Sequence, residues 1–422
     1  MRAAYPDVVQ CPMFAALLLL AACVRVAPPS RTSPRPGPVA GVVHPLNLWD
    51  VEKAGKASHL FGTCHIGVAL DYALPRPDDE SLAKARVVYT EAAMDFESTD
   101  AIRLVWSEAR LSARLSRPAF ERLVLAAPDF PASIIDHFVP WAAASVPMMM
   151  TAVGPDGSFS AMDKEIQTRA KRAGIPSLHV ETIEGQSAML AAADPAFVAA
   201  LEAEPDVGEL EAAFRALDDL CMRGIVDEPR LVDPAAPETE ALLFARNRAW
   251  MATLSPELAQ GGAFVAVGAA HMFGADGLIK LLEREGYTVK RRSTTRPAQQ
   301  GTTFSAPALT PTFDRALFLR VQTELGPILA DLMCADGSLA RTCFVADDSE
   351  CRGRVQADVE ICLLQQAPKL VAAGATPAIT QAVAGCTAAG LALDAMVNER
   401  FAEAPMCRAM QDAMQAAGKV GG

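Results

Sequence analysis

The sequence has no excess of basic charge: 38 Lys and Arg stand against 50 Asp and Glu, a formal net charge of -12. That balance lacks the electrostatic footprint of a protein that grips nucleic acid over a broad surface, so no nucleic-acid partner is expected. Beyond residue 23 it also lacks any apolar run that reads as long enough to cross a bilayer, and the remainder is expected to be soluble. The weak hydrophobicity of a disordered chain is missing too, since 51% of residues are hydrophobic and 21% charged, enough to bury a substantial core. For a chain of 422 residues, about two to three domains are expected.

Residues 1–23 read as an export signal. Arg2 supplies the positive start, Met13 to Ala22 is almost wholly apolar, and Leu20-Ala21-Ala22-Cys23 has small residues before a cysteine. The pattern resembles a bacterial lipobox, which implies acylation of Cys23 and anchoring at the cell envelope, periplasmic or outer-membrane. A plain secretory signal is the alternative. Residues 24–43, rich in Pro, Ser and Arg, read as a flexible tether.

Residues 44–292 alternate strand and helix signals. Asn47 to Lys53 and Ala57 to Phe61 flank Ala54-Gly55-Lys56 and predict a hairpin. Helical spacing runs from Asp78 to Arg86, Ala161 to Ala173, within Pro237 to Leu254, and from Leu278 to Arg284. Strands are expected at Val87 to Glu91, Ser177 to Glu181, Ala263 to Val267 and Tyr287 to Lys290. The expected fold is α/β, a mixed sheet flanked by helices, with site loops at the C-terminal ends of the strands.

The polar residues with chemical potential cluster in this pattern. His65, Glu91, Glu181 and His271 each fall at or just past the end of an expected strand, where an α/β sheet leaves its crevices open. Gly62-Thr63-Cys64-His65 and Gly268-Ala269-Ala270-His271 repeat one arrangement: a strand ends, glycine turns the backbone, and an imidazole follows three residues on. Two imidazoles and one or two carboxylates make a competent set for a divalent metal, Zn, Mn or Co. Each Gly-x-x-His alone is a common coincidence, and a lone strand-end histidine is more often structural.

The body resembles the TraB/GumN family, which includes the Tiki-type proteases. The resemblance rests on Leu48-Trp49 and the Glu-Lys hairpin, Leu60 to His65, the Tyr72 to Pro75 turn, Glu91, Asp163, and the helix ending at Gly174-Ile175-Pro176. It continues through Glu181-Thr182-Ile183-Glu184-Gly185-Gln186, Arg246-Asn247-Arg248, and Val267 to His271 followed by Gly277 and Gly286 to Val289. What this implies is a metal-dependent peptidase-like site that cleaves secreted peptides. His65 and His271 would be ligands, and Glu91 third ligand or base. Glu181 would be ligand or support, and Arg246 would oppose an oxyanion or hold a substrate carboxylate. Gly62, Thr63, Asp163, Gln186, Asn247 and Gly268 support the motifs. Ala245 stands where an acid often precedes the Arg-Asn pair, which puts the orientation of Arg246 in question, and Ala161 stands where a glycine is frequent. Cys64 is read as a small packed side chain rather than a soft ligand.

Residues 293–311 are rich in Thr, Ser, Pro and Gln and read as a linker. Residues 312–422 carry helical spacing with Cys334, Cys343, Cys351, Cys362, Cys386 and Cys407, which fits a small all-α domain stapled by disulfides. No Cys-x-x-Cys and no His occurs there, which argues against a metal cluster. The expected pairings are Cys334 with Cys362, Cys343 with Cys351, and Cys386 with Cys407, and the module's default role is docking to a partner or a cell-wall component. The expected function is a metal-assisted hydrolase acting on a secreted or envelope peptide. The alternative is a binder that sequesters a peptide or a metal-containing ligand.

Overall fold

The computed structural model describes residues 44–64, 70–74, 80–93, 103–127, 130–151, 162–203, 239–294, 313–345, 347–370, 374–399 and 404–419, with residues 232, 401 and 402. The export signal with Cys23, the tether, His65, Ala161 and residues 295–311 of the linker lie outside them.

Six strands form one mixed sheet: β1 His44–Lys53, β2 Lys56–Thr63, β3 Val87–Thr90, β4 Ser177–His179, β5 Ala263–Gly268 and β6 Thr288–Thr294, in the order β4-β3-β5-β2-β1-β6. The expected hairpin is present. Lys53 pairs with Lys56 across Ala54-Gly55, both of which have positive φ (51° and 72°), the two-residue turn whose twist matches antiparallel strands. β2, β5, β3 and β4 run parallel, so their C-terminal ends share one edge, while β1 is antiparallel to β2 and β6. β5, central in the sheet, is buried on both faces, as the unbroken apolar run Ala263 to Val267 requires.

Alternation along the strands builds two cores. Leu48, Phe61, Val88 and Phe264 face one layer, which includes Met162 and Ile166 of helix Met162–Arg172. Trp49, Leu60, Tyr89 and Val265 face the other, against Trp250, Leu254 and Leu258 of helix Ala245–Gln260. In chain order the helices are α1 Leu70–Ala73, α2 Glu80–Ala83, α3 Arg117–Ala126, α4 Ala132–Ile135, α5 Pro140–Thr151, α6 Met162–Arg172, α7 Ile183–Ala192 and α8 Asp194–Glu202. They continue with α9 Ala245–Gln260, α10 Leu278–Arg284, α11 Arg315–Met333, α12 Asp348–Gln366, α13 Pro377–Val397 and α14 Pro405–Lys419. Asp163 and Glu165 open α6, and Arg169, Lys171 and Arg172 close it, matching the helix dipole at both ends. Strand β6 runs two residues past the expected boundary at 292, because β1 continues to pair with it up to Thr294 opposite His44.

The C-terminal helices are not packed by themselves. Val355, Val359 and Leu363 of α12 share one buried cluster with Phe120, Phe130 and Ile134, contributed by α3, α4 and the turn between them. Polar contacts tie the same seam. Gln365 Nε2 donates to the carbonyls of Ala127 (2.7 Å) and Phe130 (2.6 Å), and Ser133 Oγ donates to that of Cys386 (2.6 Å). Arg110 Nη1 reaches both Asp136 (3.0 Å) and Asp358 (2.6 Å). The change in sequence character at the linker does not coincide with a break in packing.

All six tail cysteines are bridged, but as Cys334–Cys351, Cys343–Cys407 and Cys362–Cys386, which overturns each expected pairing. Cys334 ends α11 and Cys351 lies in the first turn of α12, so the turn of an antiparallel helix pair brings these two together. Cys362 sits three turns farther along α12, about 16 Å away, beyond the reach of Cys334 and against α13 instead. The helix α13 itself corrects another expectation: it is long and apolar enough to cross a membrane, yet half of its apolar window is buried inside the protein and Cys386 fastens it to α12.

His137, on the same seam, stacks on Trp106 with ring centroids 4.4 Å apart, and its Nδ1 faces the Ser107 carbonyl at 3.1 Å. Burial first, then the charge of Arg110, pushes its pKa down to about 4. Its folded value lies below the unfolded 6.5, so the neutral ring's contribution to stability is complete above pH 6.5 and is lost as pH falls toward 4. Burial pushes Asp358 up to about 6, so its contribution runs the other way, present at low pH and lost as pH rises through 6. The expected outcome is that the unfolding free energy of the native protein minus that of His137→Phe declines from pH 7 to pH 4 in denaturant titrations. A flat difference contradicts this reading. Ending the chain at residue 312 should bare Phe130, Ile134 and Phe138, each now at most 1% exposed. The outcome expected is loss of soluble yield and strong binding of a hydrophobic dye, and a soluble, cooperatively melting truncation contradicts it.

Candidate functional site

The edge shared by β2, β3, β4 and β5 brings Gly62-Thr63-Cys64 of the first motif beside the start of the second. Gly62 pairs with Val267 and Thr63 with Gly268, so the strand residues that open the two motifs lie side by side. The contact is close: a Cβ on Gly62 would lie 3.1 Å from both Cα and Cβ of Ala269. Glycine is needed there because the second motif's backbone occupies the space. Thr63 Oγ1 donates to the buried Asp163 of α6 at 3.1 Å, fixing the strand end just before Cys64 and His65. Cys64 is buried and disulfide-bonded to a partner outside the described residues, so it is a cross-link and not a free packed thiol.

Glu91 follows β3 on this edge, and Glu181 continues β4 beside it, its amide donating to the Glu91 carbonyl at 3.0 Å. Glu91 is 6% exposed, and its carboxylate takes three donors among the described residues. Gly268 N–H reaches Oε1 at 2.7 Å, while Gln186 Nε2 (3.0 Å) and Arg246 Nη2 (2.8 Å) reach Oε2. Gln186 is delivered by α7, whose N-cap Thr182 accepts from the Gly185 amide.

Arg246 lies on α9, entered through a π-turn at Glu240–Phe244, a backbone irregularity common at functional sites. Its five N–H donors are all engaged. Nε donates to Glu181 Oε2 at 3.1 Å, Nη2 to Glu91 Oε2 and Glu181 Oε1, and Nη1 to the Leu242 carbonyl at 2.9 Å and to His271 Nε2 at 3.2 Å. Burial works against its charge, but the hydrogen bonds and charges of Glu181 and Glu91 outweigh it, and the pKa is raised. The Ala245 departure is without effect on this geometry, because Ala245 is exposed and Glu91 and Glu181 orient the guanidinium. Nor does any N–H remain directed at a substrate oxyanion, the role expected of Arg246.

His271 is 3% exposed, in a short helical turn directly after β5. Its tautomer follows from the neighbours. Asn247, fully buried, donates Nδ2 to the carbonyls of His271 (3.1 Å) and Asp276 (2.8 Å), which turns its Oδ1 toward His271 Nδ1 at 2.7 Å. Oδ1 only accepts, so the ring proton sits on Nδ1 and Nε2 keeps its lone pair. That lone pair faces Arg246 Nη1 and, 3.6 Å away, Glu91 Oε1.

This donor chemistry fits a divalent metal at two points. An imidazole whose far nitrogen donates to an amide oxygen is the usual supporting arrangement for a metal-ligating histidine. Nε2 and Oε1 are also within the roughly 4 Å that two donors of one ion span. Glu181 does not join them, since its oxygens accept from Arg246 and from Trp250 Nε1 at 3.3 Å. Among the described residues no group of three or more His, Cys, Asp and Glu side chains is arranged to hold a metal ion, and His65, the remaining expected ligand, lies outside them.

Trp250 was not singled out in the sequence. Its ring lies 4.5 Å from that of His271 and 4.8 Å beneath the Arg246 guanidinium, filling the floor of the site. The signal was available, since residues 246 and 250 are four apart on one helix face. His179, also passed over, bonds Thr90 Oγ1 at 2.9 Å and helps to position the end of β3.

The TraB/PrgY/gumN family model matches residues 47–291, more than half of the chain. No curated protein and no solved structure matches.

Two outcomes are expected of this geometry. In Asn247→Leu, nitrogen-15 spectra should show His271 losing its Nδ1–H tautomer, while Asn247→Asp should retain it; an unchanged tautomer in the leucine variant refutes the assignment. Gly62→Ala should lower stability by about 1–3 kcal/mol, read from thermal or denaturant unfolding, because the methyl group meets Ala269.

Proposed function

The chain belongs to the TraB/PrgY/gumN family, and from that premise we propose that it is an exported, divalent-metal-dependent peptidase acting on a secreted or envelope peptide. The single observation supporting the reading is the abutment of Gly62 and Ala269, which sets the start of the first motif against the second, with Glu91 on the same sheet edge.

His271 Nε2 would hold the ion, with His65 as the second proposed ligand. When bound, a divalent metal supplies Lewis acidity that polarises a peptide carbonyl and activates water near neutral pH. The protein's own groups do the rest. Glu91 Oε1 is the basic atom that takes a proton from the attacking water and returns it to the leaving nitrogen. Its rotamer is held by the Gly268 amide, Gln186 and Arg246. Asn247 keeps the lone pair of His271 on Nε2, and Trp250 closes the floor against water. Arg246 is assigned to holding both carboxylates rather than to substrate, since its N–H groups are engaged.

Export is supported by the bridged cysteines, which persist in oxidising compartments, together with the signal and lipobox pattern ending at Cys23. Acylation there would anchor the protein at the envelope. The tail is proposed to brace the body, a reading supported by its shared core, rather than to dock a partner.

The test is metal content of the purified mature protein and cleavage of a peptide library with and without chelator. Cleavage should disappear with chelator, and His271→Ala should lose the metal and reduce cleavage by about a hundredfold or more. Metal retained without any turnover in the native protein would favour the sequestering alternative.

A further inference from the structure

Helices α12 and α13 meet in one antiparallel register. Cys362 is bridged to Cys386 and Arg354 is paired with Asp394, so Asp358, four residues from Arg354 and from Cys362, falls opposite Gly390, four residues from each of their partners. The body enters at that point. A Cβ on Gly390 would lie 2.7 Å from that of Ser133 on α4 and 3.3 Å from Asp358 Oδ2, so glycine lets three helices close on the carboxylate.

Positive charge is short there. The side chains of Asp136 and Asp358 are 0% and 2% exposed, and both accept from the same nitrogen, Arg110 Nη1, at 3.0 and 2.6 Å. Asp136 has a second donor, the Ser112 amide at 2.7 Å, whereas Arg110 is the only hydrogen-bond partner of Asp358 among the described residues. The neighbouring charges do not make up the difference. Arg354 of α12 is bonded to Asp394 of α13, and the His137 ring near Arg110 is neutral above about pH 4. On the outer side of α12, Arg117 of α3 and Asp331 of α11 turn to Glu360 and Arg352. Two buried carboxylates on one guanidinium disfavour double ionisation, and a proton on one of them removes the excess. Asp358 is the one to take it, because it lacks the amide that steadies Asp136 and because burial pushes its pKa up to about 6.

We propose that Asp358 is a proton-operated latch between the C-terminal helices and the body, closed while its carboxyl is neutral and loosened when it ionises. With the carboxyl neutral, Arg110 is matched by Asp136 and α12 and α13 seat fully on α4. With it charged, the excess lies at the centre of the seam, and parting α12 from α4 relieves it by admitting water. The folded value lies above the unfolded 3.8, so this contribution to stability is complete below about pH 4 and is lost as pH rises through 6. An exported chain meets the acidity of its surroundings directly, and the seam tightens in mildly acid surroundings and slackens at neutral pH. Neither the metal nor the peptidase reading is needed for this latch.

The experiment compares denaturant unfolding of the full mature chain, disulfides intact, with that of Asp358→Asn, which fixes the neutral form. The ratio of the variant's folding equilibrium constant to the native one should rise at least about tenfold from pH 4.5 to pH 7.5. His137 is present in both proteins and cancels from the ratio. A ratio that stays flat or falls overturns the latch. So does an equal rise in Asp394→Asn, whose carboxylate is matched by Arg354, since that would report the net charge of the chain and not this seam. At pH 7.5, limited proteolysis should cut α12 and α13 sooner in the native protein than in Asp358→Asn, and equal rates there also overturn it. Thermal melts establish that each variant is folded. Where Asp358→Asn is not, Asp358→Ser, smaller and equally neutral, carries the same expected rise and the same overturning results.

Discussion

A guanidinium taken out of water is tolerated only when every N–H finds an acceptor and its charge is matched, and that demand fixes the geometry at the working edge of this protein. Arg246 meets it with two carboxylates, one backbone carbonyl and one imidazole nitrogen, drawn from the ends of β3, β4 and β5 and from the π-turn that leads into its own helix. A shift of any of these elements by a residue would leave a buried donor orphaned or a carboxylate unpaired, at a cost of several kcal/mol. The sheet order, with β5 between β2 and β3, is therefore felt directly at the side chains.

The same network defines what each side chain is free to do. Glu91 Oε2 accepts from Gln186 and Arg246, and Oε1 accepts from the Gly268 amide. His271 has Nδ1 committed to Asn247 and Nε2 facing the pocket. His271 Nε2 and Glu91 Oε1 lie 3.6 Å apart, with polar groups on the neighbouring elements holding them in place. Below the sheet edge, the aromatic floor of Trp250 and the apolar layers on both faces keep that arrangement away from solvent.

Much of this was legible from residue order alone. Apolar alternation and the unbroken run in β5 revealed the strands, Ala54-Gly55 the hairpin, and the strand-end positions of Glu91, Glu181 and His271 the edge where they meet. Trp250 escaped because an aromatic on an amphipathic helix looks the same whether it faces a core or a site. The five engaged donors of Arg246 escaped because saturation depends on three dimensions, not on spacing. Disulfide pairing was read from proximity along the chain, whereas a helix separates Cys351 from Cys362 by three turns and sends them to different partners. The union of tail and body was hidden for a related reason: a compositional boundary marks where the chain changes character, not where hydrophobic surface finds its cover.

The interleaved bridges bear on how the molecule reaches its mature state. Joining each tail thiol to the next along the chain would give 334 with 343, 351 with 362 and 386 with 407, and none of these is a native link. The native links therefore reflect the packing of α11 to α14 and not the order of the cysteines along the chain. Biogenesis of this protein accordingly calls for reshuffling chemistry, with helix docking as the template that tells right bridges from wrong ones.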